Sequence, residues 1–247
     1  MVGCYDPARV TEFRSYVALA AFPIIGIFLT DWWNAGWASE HHAMVLPPEM
    51  ARKREEEGRP LQLVKYGLLL LALRGIGGNR LWHMVPFTMR SHTWVVLVAP
   101  GIAGGILLLA FRNLLSSLFP GAFLSLKNEY FARGSVNLWL TVFLVGGPVE
   151  EFWRAVCITV LIQNDHSALS ADILTAIAFS IAHQSGLPSR IAPGLAIAGF
   201  EVLVGLILGA LFKWSGNFIV PCVASLIYYV SGFFLERRRS TEFDAHQ

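Results

Sequence analysis

Apolar residues in this chain come in long blocks rather than at the three-or-four spacing of an amphipathic helix. The blocks are Tyr16–Thr30, Leu61–Leu73, Trp94–Phe111, Leu138–Ile162, Ala168–Ala182, Pro193–Phe212 and Phe218–Leu235. Most approach the roughly 20 residues that a helix needs to cross the hydrocarbon of a bilayer. Leu61–Leu73 is short, so a helix there would tilt, pair with the following "GIGGN", or only dip in. The mixed-charge stretch between the first two blocks ends in "PPEMARKREEEGRP" and reads as a loop whose end is a solvated face or interfacial helix. "LLSSLFPGAFLSL" is broken by Pro120 and Gly121 and also reads as interfacial. The pattern predicts an all-α polytopic membrane bundle of about six to eight helices, one membrane domain over 1–247 with no soluble domain attached.

Composition strengthens this picture. Of 247 residues, 55% are hydrophobic and 15% charged, and the mean hydropathy is +0.53. A soluble domain is nearer 45–50% apolar and about 25% charged. A net charge of +2 gives no sign of a nucleic-acid partner. The three cysteines, Cys4, Cys157 and Cys222, are odd in number and lack metal-ligand spacing, so neither a disulfide framework nor a zinc site is expected.

The first block, preceded by Arg9 and Arg14, has a passable cleavage site in "GWA" (Gly36–Ala38) and so has some character of a signal peptide. The bulky "DWW" in between favours a retained first span. With "ERRRS" (Glu236–Ser240) on the cytoplasmic side, alternating spans place Arg190, Lys127, Arg133, Arg112 and Arg52–Arg54 inside, and Arg90 and Lys213 outside. The absence of long soluble loops and of N-glycosylation acceptors points to a bacterial inner membrane.

The chemistry lies in "GGPVEEFWRAVCITVLIQN", Gly146–Asn164. Each charge at the bilayer centre costs about 2.5–3.5 kcal/mol on insertion scales. Glu150, Glu151 and Arg154 fall within five residues. At i, i+4 and i, i+3, both acids are in helical reach of the one guanidinium. A buried ion pair is a poor route to stability alone, and a second glutamate is superfluous once the first satisfies Arg154. Two carboxyls in unlike electrostatic surroundings are what a general base requires.

"AFSIAHQSG" puts His183 at the end of the next span, with Phe179 one turn earlier, and the short "NDHS" connection makes the two spans antiparallel neighbours. Glu150 lies about midway along a long helix and His183 near the end of its own. Their meeting is therefore expected to require an acidic helix that tilts or starts deep, leaving a cavity open to the cytoplasm. Gly205 and Gly209 form a close helix-packing face. Glu201 in "AGFEVLVG" either pairs with a neighbouring helix or binds a substrate group or metal.

The combination of "VEEFWRA", "FSIAH" and the later "GLILGALFKWSGNFIVPCVAS" resembles the CPBP family, the type II CAAX prenyl endopeptidases and their bacterial Abi-like relatives. The resemblance runs from about Gly146 to Ser231 and implies a catalytic core over 134–235 with a water-accessible cavity. It implies that Glu150 or Glu151, with His183, activates a water for attack on a peptide bond, and that Arg154 orients the glutamates. It also implies a glutamate-dependent protease without a required metal or cofactor, acting on a peptide or protein substrate at the membrane.

This sequence departs from the family pattern twice. The family has three residues between the second glutamate and the arginine, and here there are two, Phe152 and Trp153. Counting back from Arg154 puts Glu150 in the second position and Val149 in the first. Counting forward puts the arginine one residue early. One residue turns a helical side chain by about 100°, so the alignments name different bases unless a local bulge absorbs the shift. Secondly, the family's late histidine and asparagine, which serve the oxyanion, fall at Ser225 and Tyr229. Their hydroxyls can in principle donate the same bonds, and Asn217 and Tyr228 are further candidates.

The reading is therefore an intramembrane endopeptidase. A catalytically impaired scaffold or bacteriocin-immunity protein is the alternative that the Ser225 and Tyr229 replacements favour. A proton- or ion-coupled transporter is a third, against which no inverted repeat is visible.

Overall fold

The computed structural model describes residues 12–41, 48–78, 94–118, 136–184 and 191–244. Seven α-helices account for nearly all of them: α1 (Glu12–His41), α2 (Pro48–Gly77), α3 (Trp94–Leu118), α4 (Val136–Gln163), α5 (Ala168–Gln184), α6 (Ile191–Ser215) and α7 (Ile219–Asp244). Cys4, Arg9, Arg90, Pro120, Gly121, Lys127, Arg133 and Arg190 lie outside the described residues.

The helices are longer than the apolar blocks. α1 runs unbroken through the "DWW" and "GWA" stretches, and its Phe22 is fully buried, so the first block is part of the bundle core. The charged stretch before Leu61, read as a solvated face or interfacial helix, is helical: it is the first half of α2, continuous through Pro60 with the short block. α7 likewise carries on through "ERRRS". Hydropathy marks where a helix meets apolar surroundings, not where its backbone hydrogen bonds stop.

Among the described residues, Val98–Leu118 and Ala198–Ser215 are long and apolar enough to cross a membrane. α5 exposes Ile173, Ile177 and Ile181, one ridge at i, i+4 spacing, as a helix facing lipid does. In lipid there is little hydrophobic drive between helices, so close packing and buried hydrogen bonds must hold the bundle. Both occur here. A Cβ at Gly101 or Gly105 of α3 would run into Val223 or Ile227 of α7, and one at Gly205 of α6 would meet Ala176 of α5. The packing face expected at Gly205 and Gly209 is therefore real, and α5 covers it. The Trp153 indole N–H donates to the Ala18 carbonyl over 2.9 Å, tying α4 to α1.

Two tight turns set the path. At the end of α4, Asp165 takes φ 67° while the N–H of His166 bonds Leu161 O and that of Asp165 bonds Ile162 O, a Schellman closure. Ser167 then caps α5, its Oγ accepting from the N–H of Ser170. Between α6 and α7, Gly216 takes φ 62° and Asn217 Oδ1 accepts from the N–H of Ile219. α1 runs parallel to α5, with Tyr16 against His166 and Phe22 against His183. Lys213 sits by the α4–α5 turn, bonded to Asp172 and the Ala168 carbonyl. Arg112 packs against Tyr228 and Gly232, further along α7.

Candidate functional site

The α4–α5 hairpin brings Glu150 and His183 together. Glu150 is thirteen residues before Gln163 and His183 fifteen after Ala168, so at about 1.5 Å per residue both stand roughly 20 Å from the turn. α5 is short, with 17 residues. Its end is level with the middle of α4. His183 Nε2 lies 3.5 Å from Glu150 Oε1. The other imidazole nitrogen, Nδ1, is 3.0 Å from the Phe179 carbonyl one turn back. A carbonyl can only accept, so Nδ1 carries a proton and Nε2 is turned toward the carboxylate.

The two glutamates do not share the arginine. Arg154 binds Glu151 alone through two contacts, Nε to Oε2 at 3.0 Å and Nη2 to Oε1 at 3.4 Å, and its Nη1 donates to the Gly205 carbonyl at 3.2 Å. Arg154 and both acids are buried, and α4 is α-helical throughout, with no bulge. The 100° between successive residues sends Glu151 with Arg154 toward α6, and Glu150 toward α5 and α2. Phe179 links the two halves: its ring lies 4.1 Å from the His183 ring and 4.3 Å from the Arg154 guanidinium carbon, centre to centre.

Two residues outside the charged cluster of α4 complete the site, both from α2. The Tyr66 hydroxyl donates to Glu150 Oε1 over 2.7 Å. Lys65 is buried beside it, its Nζ 4.9 Å from the Phe22 ring centre and 5.0 Å from that of Tyr66, near enough to Glu150 to act on it electrostatically. Two buried acids thus face two buried bases. A cationic residue in the short second block was the visible signal, and only its tertiary neighbour makes it meaningful.

The oxyanion candidates separate. Ser225 is fully buried and its hydroxyl donates to the Cys222 carbonyl on its own helix. Asn217 spends its side-chain oxygen on the α7 cap. Tyr228 packs against Phe200 and Arg112, away from the acidic pair. Tyr229 stacks on Phe143, and its buried hydroxyl has no protein partner among the described residues. Glu150, Tyr66 and Glu201 are all within electrostatic reach of it. Glu201 also acts on His183, so this acid borders the site from α6. Cys157 and Cys222 are buried free thiols next to the Glu151–Arg154 pair. No group of three or more His, Cys, Asp or Glu among the described residues is arranged to hold a metal ion.

A helical membrane bundle with paired acids, an arginine and a histidine inside its core defines a class, and comparison finds one similar family. Residues 132–230 match the family described as type II CAAX prenyl endopeptidase Rce1-like. The matched stretch spans α4 to most of α7 and contains Glu150, Glu151, Arg154, His183, Ser225 and Tyr229. No curated protein and no solved structure matches the chain.

Proposed function

We propose that the chain is an intramembrane endopeptidase in which Glu150 is the general base. The observation that carries this reading is the 3.5 Å approach of His183 Nε2 to Glu150 Oε1 inside a domain of a peptidase family. With Nδ1–H held by Phe179, Nε2 and Oε1 would meet as two acceptors unless one proton lies between them. The pair is then an imidazolium beside a carboxylate. Glu150 Oε2 takes a proton from a water, and the resulting hydroxide adds to the carbonyl carbon of a peptide bond. The oxygen of that carbonyl takes up the electron pair. As the C–N bond breaks, the imidazolium or the protonated Glu150 returns a proton to the leaving amine. Arg154 holds both oxygens of Glu151 and keeps it turned away from Glu150, so Arg154 serves as a positioning residue.

Tyr229 is the proposed oxyanion donor, since its hydroxyl is uncommitted and near Glu150. The catalytic core is taken as 134–235 within a single membrane domain over 1–247. The substrate is a peptide or protein segment at the membrane, and the basic end of α7 is placed in the cytoplasm of a bacterial inner membrane. New C-termini among the membrane proteins of cells expressing the wild type, Glu150→Gln, Glu151→Gln or His183→Ala would test this by mass spectrometry. Cleavage products that vanish with Glu150→Gln and His183→Ala are expected. The same products in every strain would remove the catalytic assignment.

The scaffold reading keeps one specific support: Glu150 is 2% exposed and Ser225, where the family has its late histidine, is turned onto a backbone carbonyl. Under that reading Tyr229→Phe leaves all function unchanged. Under the peptidase reading it slows cleavage about a hundred- to thousandfold.

A further inference from the structure

The stretch that matches the family begins at residue 132, yet the shortest bond to Glu150 comes from α2. Three observations make that bond more than incidental. It falls on Oε1, the same oxygen that faces His183, so one carboxylate oxygen is held from two sides and the other is left to work. The Tyr66 ring reaches Glu150 only because residue 146, one turn earlier on α4, is glycine: any Cβ there would overlap the ring and its hydroxyl. Lys65 on the same turn of α2 sets a cation beside the carboxylate without bonding it, held instead over the rings of Phe22 and Tyr66.

We infer that Tyr66 is a positioning residue whose hydroxyl locks Glu150 in the rotamer facing His183, so that an N-terminal helix outside 132–230 completes the site, with Gly146 as its required counterpart. This rests on Glu150 being the general base. A carboxylate gripped by a neutral donor and an imidazole has little freedom to turn, and a base must be held in reach of the proton it takes.

The test uses the whole protein in lipid nanodiscs and dicyclohexylcarbodiimide, an apolar reagent that modifies carboxyl groups within membranes. Labelling is located by peptide mass spectrometry. In Tyr66→Phe the ring packing is kept and only the hydroxyl is lost. Glu150 labelling is then expected to rise about tenfold, the scale of a hydrogen bond to a charged group, with Glu151 unchanged. Gly146→Ala should do the same while keeping the tyrosine. With a peptide found by the C-terminal profiling, Tyr66→Phe should lower kcat and leave KM in place. Unchanged Glu150 labelling in both variants overturns the inference. The two readings fail separately. Altered labelling with no cleavage by the wild type sinks the peptidase assignment and keeps the role of Tyr66. Unaltered labelling with cleavage that Glu150→Gln abolishes does the reverse.

Discussion

Glu150 and Glu151 are the same residue type, adjacent on one helix and equally buried. Their surroundings are nevertheless opposite. Glu151 has both oxygens on one guanidinium, itself fixed to the Gly205 carbonyl. Glu150 has one oxygen held by Tyr66 and faced by His183, with Lys65 nearby. The first arrangement is closed electrostatically and the second can exchange a proton. Helix phase alone makes the difference, which shows why the spacing from glutamate to arginine matters more than the presence of the three residues.

The largest expected effect would break this contrast outright. Glu150→Gln should reduce cleavage by roughly a hundred- to ten-thousandfold, the usual worth of a positioned base, while Glu151→Gln retains activity in proportion to the folded protein recovered. Equal losses at matched folded yield would mean that the contrast is structural only. Next in size, Arg154→Met strands a buried carboxylate and should cost about 3–5 kcal/mol of stability, read as an earlier unfolding transition in detergent. Adding Glu151→Gln should return much of it, because the unpaired charge is then gone.

Smaller effects sharpen the picture. Gly146→Ala should cost about 1–3 kcal/mol through overpacking against Tyr66. Gly147→Ala, whose Cβ would meet Ser225 Oγ at an ordinary 3.4 Å, should be neutral or gain up to about 1 kcal/mol from helix propensity. Thermal unfolding of the pair separates the two glycines. Asn217→Ala should lose about 1 kcal/mol as a missing cap and leave cleavage per folded molecule unchanged, which would exclude it as an oxyanion donor.

The seven helices could be read from hydropathy because lipid-facing and buried positions are both apolar, so the blocks are dense. Their ends could not, since "PPEMARKREEEGRP" and "ERRRS" remain helical outside the apolar zone. That His183 would meet one of the two glutamates was legible from one short turn and the residue types, and which of the two was left open. That Arg154 would choose Glu151 was not, because i, i+3 and i, i+4 contacts are equally open to a helix drawn alone. Tyr66 was invisible for another reason: nothing local marks it, and only the packing of α2 against α4 near Gly146 gives it, and the cation Lys65 beside it, a role.

The shortness of α5 has a topographic consequence. Glu150 and the end of α5 share a level near the middle of α4, about 20 Å from either end of that helix. With Glu150 as the proposed base, the reacting water would sit several helical turns from both ends of α4. A peptide cleaved there would have to be extended, since a folded helix keeps its carbonyls bonded along its own axis.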